Sequence, residues 1–463
     1  MRSLFLATLA VAASAPTLTP TASAQYVWRA SVQTQDTEST MTWGRVRFNP
    51  TSTATLWAAR PNFPNPELPA PPPGDGLWGS DNNGGTWHRV NSGPLLDTHN
   101  VLDFAFCPSN GDIAFAATNA GGIFKTVDGG VTWTDVSGGI SYEGAGFPND
   151  VWGVTSVATH PDDCDRVYIG IGNLSGLDIS NPNPNHPGFF YSDDGGTTWT
   201  ANNEDLPPRN DDISDFISET TTIQSITTSS SEPNSVFMAM VQIQVNLRIF
   251  GNKTASAQTL IYRNDNAGAG PWVQVGTGLP AITQGGSFGA VARVAVAGSF
   301  IDAFALGSNT VLFATHFGYG QITTLGGSSE IQQNRGIFAL PPGGSTWIPR
   351  NNGLPVINDA GNSNSINATC IAIRPTDVYT ILAGISDSEA AGEGKSNTWV
   401  TTTAGDPWIN GWSSGLESAG DYHIANTNFL AFNKAGNRVA ASITWDDGSA
   451  PGHTPFDGIY VLP

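Results

Sequence analysis

Side chains able to do chemistry gather in a few irregular stretches of this chain. Asp97 and His99 share one, and Tyr142, Glu143, Asp150 and Trp152 share a second. Arg209, Asp211 and Asp212 lie in a third, and Asp421, Tyr422 and His423 in a fourth. His316, Tyr319, Arg335, Trp445 and Asp446 fall in further stretches of the same kind. Two carboxylates flanking a glycosidic bond can act as acid and base, with aromatic rings stacking on the sugar. Asp150 and Asp421 are the candidate pair, with Glu143 and His423 as further catalytic candidates. The same stretches suit binding. In that reading Asp97, His99, Tyr142, Trp152, Arg209, His316, Tyr319, Arg335, Tyr422 and Trp445 hydrogen-bond to or stack on a ligand. Taken singly, each of these residues is better explained as a loop hydrogen bonder than as a catalyst.

Metal chemistry has less support. Asp211, Asp212 and Asp215, with Glu204, Asp205 and Glu219 nearby, could converge on calcium. A solvated acidic loop explains them too, and no EF-hand spacing is present. The histidines and cysteines show no short ligand spacing, so no other metal or cofactor is expected. The net charge of -20 over 463 residues makes nucleic acid and anionic membranes poor partners.

Elements must position those loops, and the chain repeats a word that supplies them. Residues 126–133 read T-V-D-G-G-V-T-W, residues 192–199 read S-D-D-G-G-T-T-W, and residues 80–87 read S-D-N-N-G-G-T-W. An apolar run precedes each word and alternating residues follow, which predicts strand, Gly-rich turn, strand. The carboxylate of Asp128 or Asp194, or the Asn82 amide, would accept from turn amides, while Trp87, Trp133 and Trp199 pack beneath the turn. All six are read as structural. Recurrence in a form that no single active site could use argues against catalysis by them.

These words resemble the Asp-box, or BNR repeat, of sialidases, xyloglucanase-type glycoside hydrolases and sortilin-type receptors. The resemblance implies an all-β fold, a β-propeller. The chain lacks the early Phe/Tyr-Arg-Ile-Pro word of sialidases; its nearest stretch is Arg45-Val46-Arg47-Phe48. It also lacks the Arg-Thr-Asp-Val-Gly-Gly word of the xyloglucanase type. The stretch Trp43-Gly44-Arg45-Val46 leading to residues 80–87 is similar to the opening of bacterial sortilin-type proteins.

The anchoring Trp recurs as Trp272, Trp347 and Trp408 where the word has decayed. Strands laid out around it predict seven four-stranded blades, with the fifth innermost strand at residues 292–297. The last unit lacks a fourth strand. Residues 26–31 would supply it by pairing with residues 458–462 and so close the ring, which hides the sheet edges. The long connections, including 242–258 and 317–335, all fall on one face, opposite the hairpin turns. This layout sets Cys107 and Cys164 on one rim in neighbouring units and predicts a disulfide, leaving Cys370 a buried thiol. Residues 1–24 read as a secretory signal: Arg2, an apolar run over 4–13, then Ala22-Ser23-Ala24. No segment reaches the ~20 apolar residues of a membrane span. The expectation is a secreted or periplasmic monomer, one propeller over 25–463, binding a neutral glycan or an extracellular protein through its loop face. The alternative is a glycoside hydrolase or polysaccharide lyase using the loop carboxylates.

Overall fold

Short runs of Val, Ile, Phe and Thr cut by Gly, Asn, Asp and Pro favour strands and tight turns, and no α-helix occurs among the described residues. The computed structural model describes residues 29–35, 44–61, 76–90, 100–118, 122–138, 140, 152–173, 188–207, 217–246, 253–279, 281–286, 291–295, 301–306, 309–316, 320–324, 327–331, 336–341, 343–354, 357–359, 362–365, 368–377, 379–385, 398–409, 424–446 and 456–462.

The strands form antiparallel sheets in which chain order is also spatial order. The first runs Val46–Phe48, Leu56–Ala59, Leu77–Ser80, His88–Arg89. The second runs Val101–Cys107, Asn110–Thr118, Gly122–Thr126, Thr134–Asp135. Sheets led by Trp152–Thr159, Ile217–Ser229 and Ile301–Leu306 follow the same plan. The sheet led by Ala368–Ile373 has three strands. The last sheet is led by Ile424–Phe432, and its outermost strand is Arg29–Gln35 from the other end of the chain.

Buried apolar side chains join successive sheets. One cluster joins Trp57 and Leu77 of the first sheet to Phe104 and Phe106 of the second. Another joins Ala105 and Phe115 to Val157 and Ile169. The series continues through Tyr168 with Met238, Phe237 with Phe338, Ile337 with Ile371, and Cys370 with Leu430. It returns to its start where Val46 and Leu56 meet Ala440 and Val461. Radially packed four-stranded sheets of this order are a β-propeller.

Several expectations need correction. Six sheets reach four strands or more, not seven. In the sheet of Ala368–Ile373 the outer strand shrinks to one bridge, Val400 to Ile409, beside Pro407, which has no amide hydrogen to extend a ladder. The innermost strand of the fifth sheet is Ile301–Leu306, because it hairpins directly onto Asn309–His316. The stretch at 291–295 pairs instead with Gly320–Thr324, in a separate three-stranded sheet with Gly327–Ile331. That sheet occupies much of 317–335, which the sequence suggested was loop. Residues 242–246 and 253–258 are likewise strand, paired from Gln242↔Gln258 to Asn246↔Thr254. The period-2 pattern of Val241-Gln242-Ile243-Gln244-Val245 simply continues past the expected boundary. At the chain start the strand lies at Arg29–Gln35, running from Arg29↔Val461 to Gln35↔Phe456; residues 26–28 lie outside the described set.

The repeated word builds its turn from its own side chains. Thr126 Oγ1 accepts from the Gly130 amide at 2.9 Å and donates to Asp128 at 2.8 Å. Asp128 accepts the Thr132 amide at 2.9 Å and the Thr132 hydroxyl at 2.6 Å. Ser192, Asp194 and Thr198 repeat this. Asn82 reproduces it with one reversal, its Nδ2 donating to Thr86 Oγ1 at 2.9 Å. Gly130 sits at φ 91°, and a Cβ there would meet Val90 at 2.1 Å, so only Gly fits.

The Trp does not pack beneath its own turn in most units. Trp199, Trp272, Trp347 and Trp408 each donate Nε1 to a carbonyl of the preceding sheet's outer edge, those of Val136, Asn202, Val275 and Arg350. Trp133 keeps the local bond, to Gly130 O at 3.2 Å.

The hydrogen bonds from Thr132 hold the Asp128 carboxyl at about 2, and those from Thr198 do the same for Asp194, against an ordinary value of 3.8. Groups depressed in the folded state stabilise it above their ordinary range and lose that contribution as pH falls through the folded value. Wild-type stability should therefore decline between about pH 4 and pH 2 more steeply than that of D128N/D194N, as read from denaturant midpoints across that range. Parallel curves would refute the assignment.

Candidate functional site

The innermost strands surround a cavity of about 380 Å³. Its lining comes from the C-terminal halves of those strands, and Pro50, Pro108 and Pro375 sit where the strands turn outward. The cavity therefore extends toward the hairpin-turn face. Phe48, Phe106, Ile226, Ile371, Phe429 and Phe432 are among its lining residues, and the surface it exposes is more polar than apolar.

Among the described residues its charged groups are Arg45 and Arg47. They stand at positions i and i+2 of one extended stretch, so both project to the same side. Behind them lies Asp103, fully buried on the neighbouring strand. Arg45 Nε lies 3.0 Å and Arg47 Nη2 2.9 Å from Asp103 Oδ1. Oδ1 also accepts the Phe104 amide at 2.9 Å. Oδ2 accepts Ser156 Oγ at 3.3 Å and the Val157 amide at 3.2 Å. Ser156 Oγ in turn accepts the Ile226 amide at 2.9 Å. One carboxylate thus links four successive sheets.

Burial pushes the Asp103 carboxyl up, but the Arg45 and Arg47 charges and the hydrogen bonds outweigh it and hold the group below the usual carboxylate range. Burial lowers the Arg45 guanidinium, with Asp103 opposing. Arg45 also stacks over Phe429, 4.6 Å from the ring centroid. Cys370 lines the same cavity, its thiol pushed up to about 12 by burial and so neutral. With its oxygens occupied, Asp103 has no lone pair left for proton transfer to a ligand. The site can bind, and its binding charge is positive.

The hairpin-turn face is laced together around this opening. In several sheets the third-to-fourth turn donates to the first-to-second turn: Asn83 N to Ala54 O, Gly129 N to Asp112 O, Gly195 N to Asp165 O, Ala267 N to Asn234 O. Between sheets, Asn49 Nδ2 donates to Gly111 O at 3.0 Å, Arg166 Nε to Ala267 O at 2.8 Å and Arg374 Nε to Gly436 O at 2.6 Å. Cys107 and Cys164 are disulfide-bonded across the second and third sheets, with Cα atoms 5.2 Å apart. Cys370 is free and buried. Reduction of the bond should cost about 2–4 kcal/mol, measured by chemical unfolding with and without reductant. No change would mean that the two turns are held by their other contacts.

The candidates on the opposite face are placed only in part. Trp152 opens the innermost strand of the third sheet, opposite Asn173. His316 ends a second strand opposite Gly336, and Trp445 lies near the end of another, opposite Ala425. Strand direction puts all three backbone positions at the loop-bearing end. Asp97, His99, Tyr142, Glu143, Asp150, Arg209, Tyr319, Arg335, Asp421, Tyr422 and His423 lie outside the described residues, as do Asp211, Asp212 and Asp215. Among the described residues no group of three or more His, Cys, Asp or Glu could hold a metal ion, and no helix is long and apolar enough to cross a membrane. Asn82, Asp128 and Asp194, with Trp87, Trp133 and Trp199, all fall in the hairpin turns. Residue types and spacing do not single out Arg45, Arg47 and Asp103 as a site. The alternation of Arg45 and Arg47 on an innermost strand is the one signal available.

No protein family matches the chain, and no curated protein does. Solved structures similar to it include YCF48 bound to D1 peptide, at 11% identity, TM-score 0.47, covering 94% of each chain. YCF48 from Cyanidioschyzon merolae is similar at 13% identity and TM-score 0.44, over 94% of this chain and 98% of that one. The GH74 xyloglucanase from Xanthomonas campestris is similar at 9% identity and TM-score 0.31, over 92% and 74%. The fold assignment rests on strand order and inter-sheet packing.

Proposed function

We propose that the chain is an exported Asp-box propeller that binds a neutral glycan or an extracellular protein on its loop-bearing face, without catalysis, as a monomer. In this reading the sheet led by Ala368–Ile373 counts as a blade and makes seven, Arg29–Gln35 latches the ring shut, and residues 1–24 direct export. The observation that carries it is the division of labour between the two ends. The turns of one face spend their donors and acceptors on each other. The long connections leave from the other face, and rigid scaffolds place recognition on such loops. The -20 charge disfavours polyanionic ligands there.

A glycan array run beside a reducing-sugar release assay tests the glycan form. Saturable binding with no release supports it. Release without tight binding overturns it in favour of hydrolysis or elimination through Asp150, Asp421, Glu143 or His423. Single substitutions of those four would then locate the chemistry.

A further inference from the structure

The fourth sheet continues past the ring at its loop-bearing end. Its first two strands stay paired from Thr221↔Gln242 to Ile217↔Asn246, and the third follows from Gln242↔Gln258 to Asn246↔Thr254. Ala281–Gly286 adds a fourth strand, paired from Gln258↔Ala281 to Lys253↔Gly286. Taking the glycan form of the proposed function as given, we propose that one face of this four-stranded panel is where a neutral polysaccharide chain binds.

Alternation along each strand separates the two faces. At the base of the panel Thr222, Val241 and Thr259 stand opposite one another and are buried. Further along, the positions on their face include Ile243 opposite Ala257, with Ile282 opposite Ala257 on its other side. That face has the composition of a core. The other face begins with Gln258, exposed, and Gln242, half-buried, and Gln258 Nε2 donates to Gln242 Oε1 at 2.7 Å. By register it continues through Gln244 and Asn246 on one strand and Ser256 and Thr254 on the next. Thr221 and Thr283 belong to the same face on the flanking strands.

Amides and hydroxyls at successive positions offer both donors and acceptors without charge. A sugar ring carries the same two functions in hydroxyls on neighbouring carbons, so the two surfaces can exchange hydrogen bonds. Glu219 is the one charged position in the three rows that run from Thr221, Glu219 and Ile217 across the panel. The chain as a whole carries a net charge of -20, so this face is set apart by its lack of charge. It suits a polymer that brings none. No aromatic residue stands in these rows, so recognition is by hydrogen bonds rather than by ring stacking. Strand rise and strand spacing give three rows across four strands an extent of about 13 Å by about 14 Å. A surface of that size takes a stretch of chain rather than a single sugar.

Affinity electrophoresis and calorimetry of the whole chain with hydroxyethyl cellulose, galactomannan, laminarin and polygalacturonate test this. Saturable binding to at least one of the three neutral polymers is expected, none to polygalacturonate, and no weakening as salt is raised. Q244A/S256A/Q258A should weaken that binding at least tenfold. T134A, on the outer strand of the second sheet, should leave it within about twofold. On saturation, backbone hydrogen exchange should slow within 217–222, 242–258 and 281–286. If a neutral polymer binds but the triple substitution leaves its affinity intact, or the slowing falls only in other segments, the panel is overturned and the glycan reading stands. Binding to none of the neutral polymers, or binding that salt abolishes, overturns the panel together with the glycan form. Should the triple variant fail to fold, the exchange pattern of the unaltered protein decides.

Discussion

Asp103→Ala should destabilise the protein by about 3–5 kcal/mol, the cost of leaving buried charge without its partner. Two guanidinium groups lie against this carboxylate, at 3.0 Å and 2.9 Å. The Arg45 side chain is 14% exposed. Once Asp103 is gone, Arg45 keeps its place over the Phe429 ring but loses the neighbour that offset its desolvation. The Val157 amide and Ser156 hydroxyl lose their acceptor too, and unmet buried donors add to the loss. Arg47→Met should cost less, because its side chain reaches the cavity and water. The Asp103 carboxyl is held below its usual range, so its contribution is present near neutrality and fades as acid protonates it. The gap between wild type and D103A should therefore narrow at low pH. Denaturant unfolding at neutral and acidic pH reads both effects. A loss under about 1 kcal/mol, the range of exposed pairs, would show that the network does not bind the four sheets together.

Trp272→Ala should cost about 3–5 kcal/mol, as large-to-small changes of buried aromatics do. Trp272 is 4% exposed and meets Phe189 edge to face, with centroids 4.7 Å apart. Its Nε1 donates to Asn202 O at 3.0 Å, and its backbone amide donates to Asp205 Oδ2 at 3.2 Å. The side chain is therefore a wedge between the third and fourth sheets. Trp272→Phe should recover most of the packing and forfeit the indole bond, leaving a deficit near 1 kcal/mol. Trp87, half-buried in the first sheet, should tolerate Ala better. If W87A and W272A cost the same, burial between sheets is not what these residues supply.

The two predictions differ in how far each could be foreseen from residues alone. The Trp series is legible because each member follows a turn word by a fixed short offset. What the residue touches is not, because its acceptor lies in the preceding unit, 70 residues away for Trp272. The side-chain bonds that build the Asp128 and Asp194 turns are readable, since their donors and acceptors lie within eight residues of sequence. The fifth sheet was misread for the opposite reason. Val291–Ala295 and Ile301–Leu306 are both apolar and alternating, and either could pair. Adjacency to Asn309–His316 through a two-residue turn decided between them.

By itself, the order of residues determined the all-β character, the hairpin turns and the recurrence of an apolar strand pair, because strand period and turn chemistry act over a few residues. Only the folded molecule decided that one recurrence ends in a three-stranded sheet. It also decided that Arg45 and Arg47 share Asp103 across 56 positions of chain in the second of those pairs, and that the resulting cavity faces the hairpin turns. Those outcomes depend on which distant segments come together, and a local pattern carries no record of its eventual neighbour.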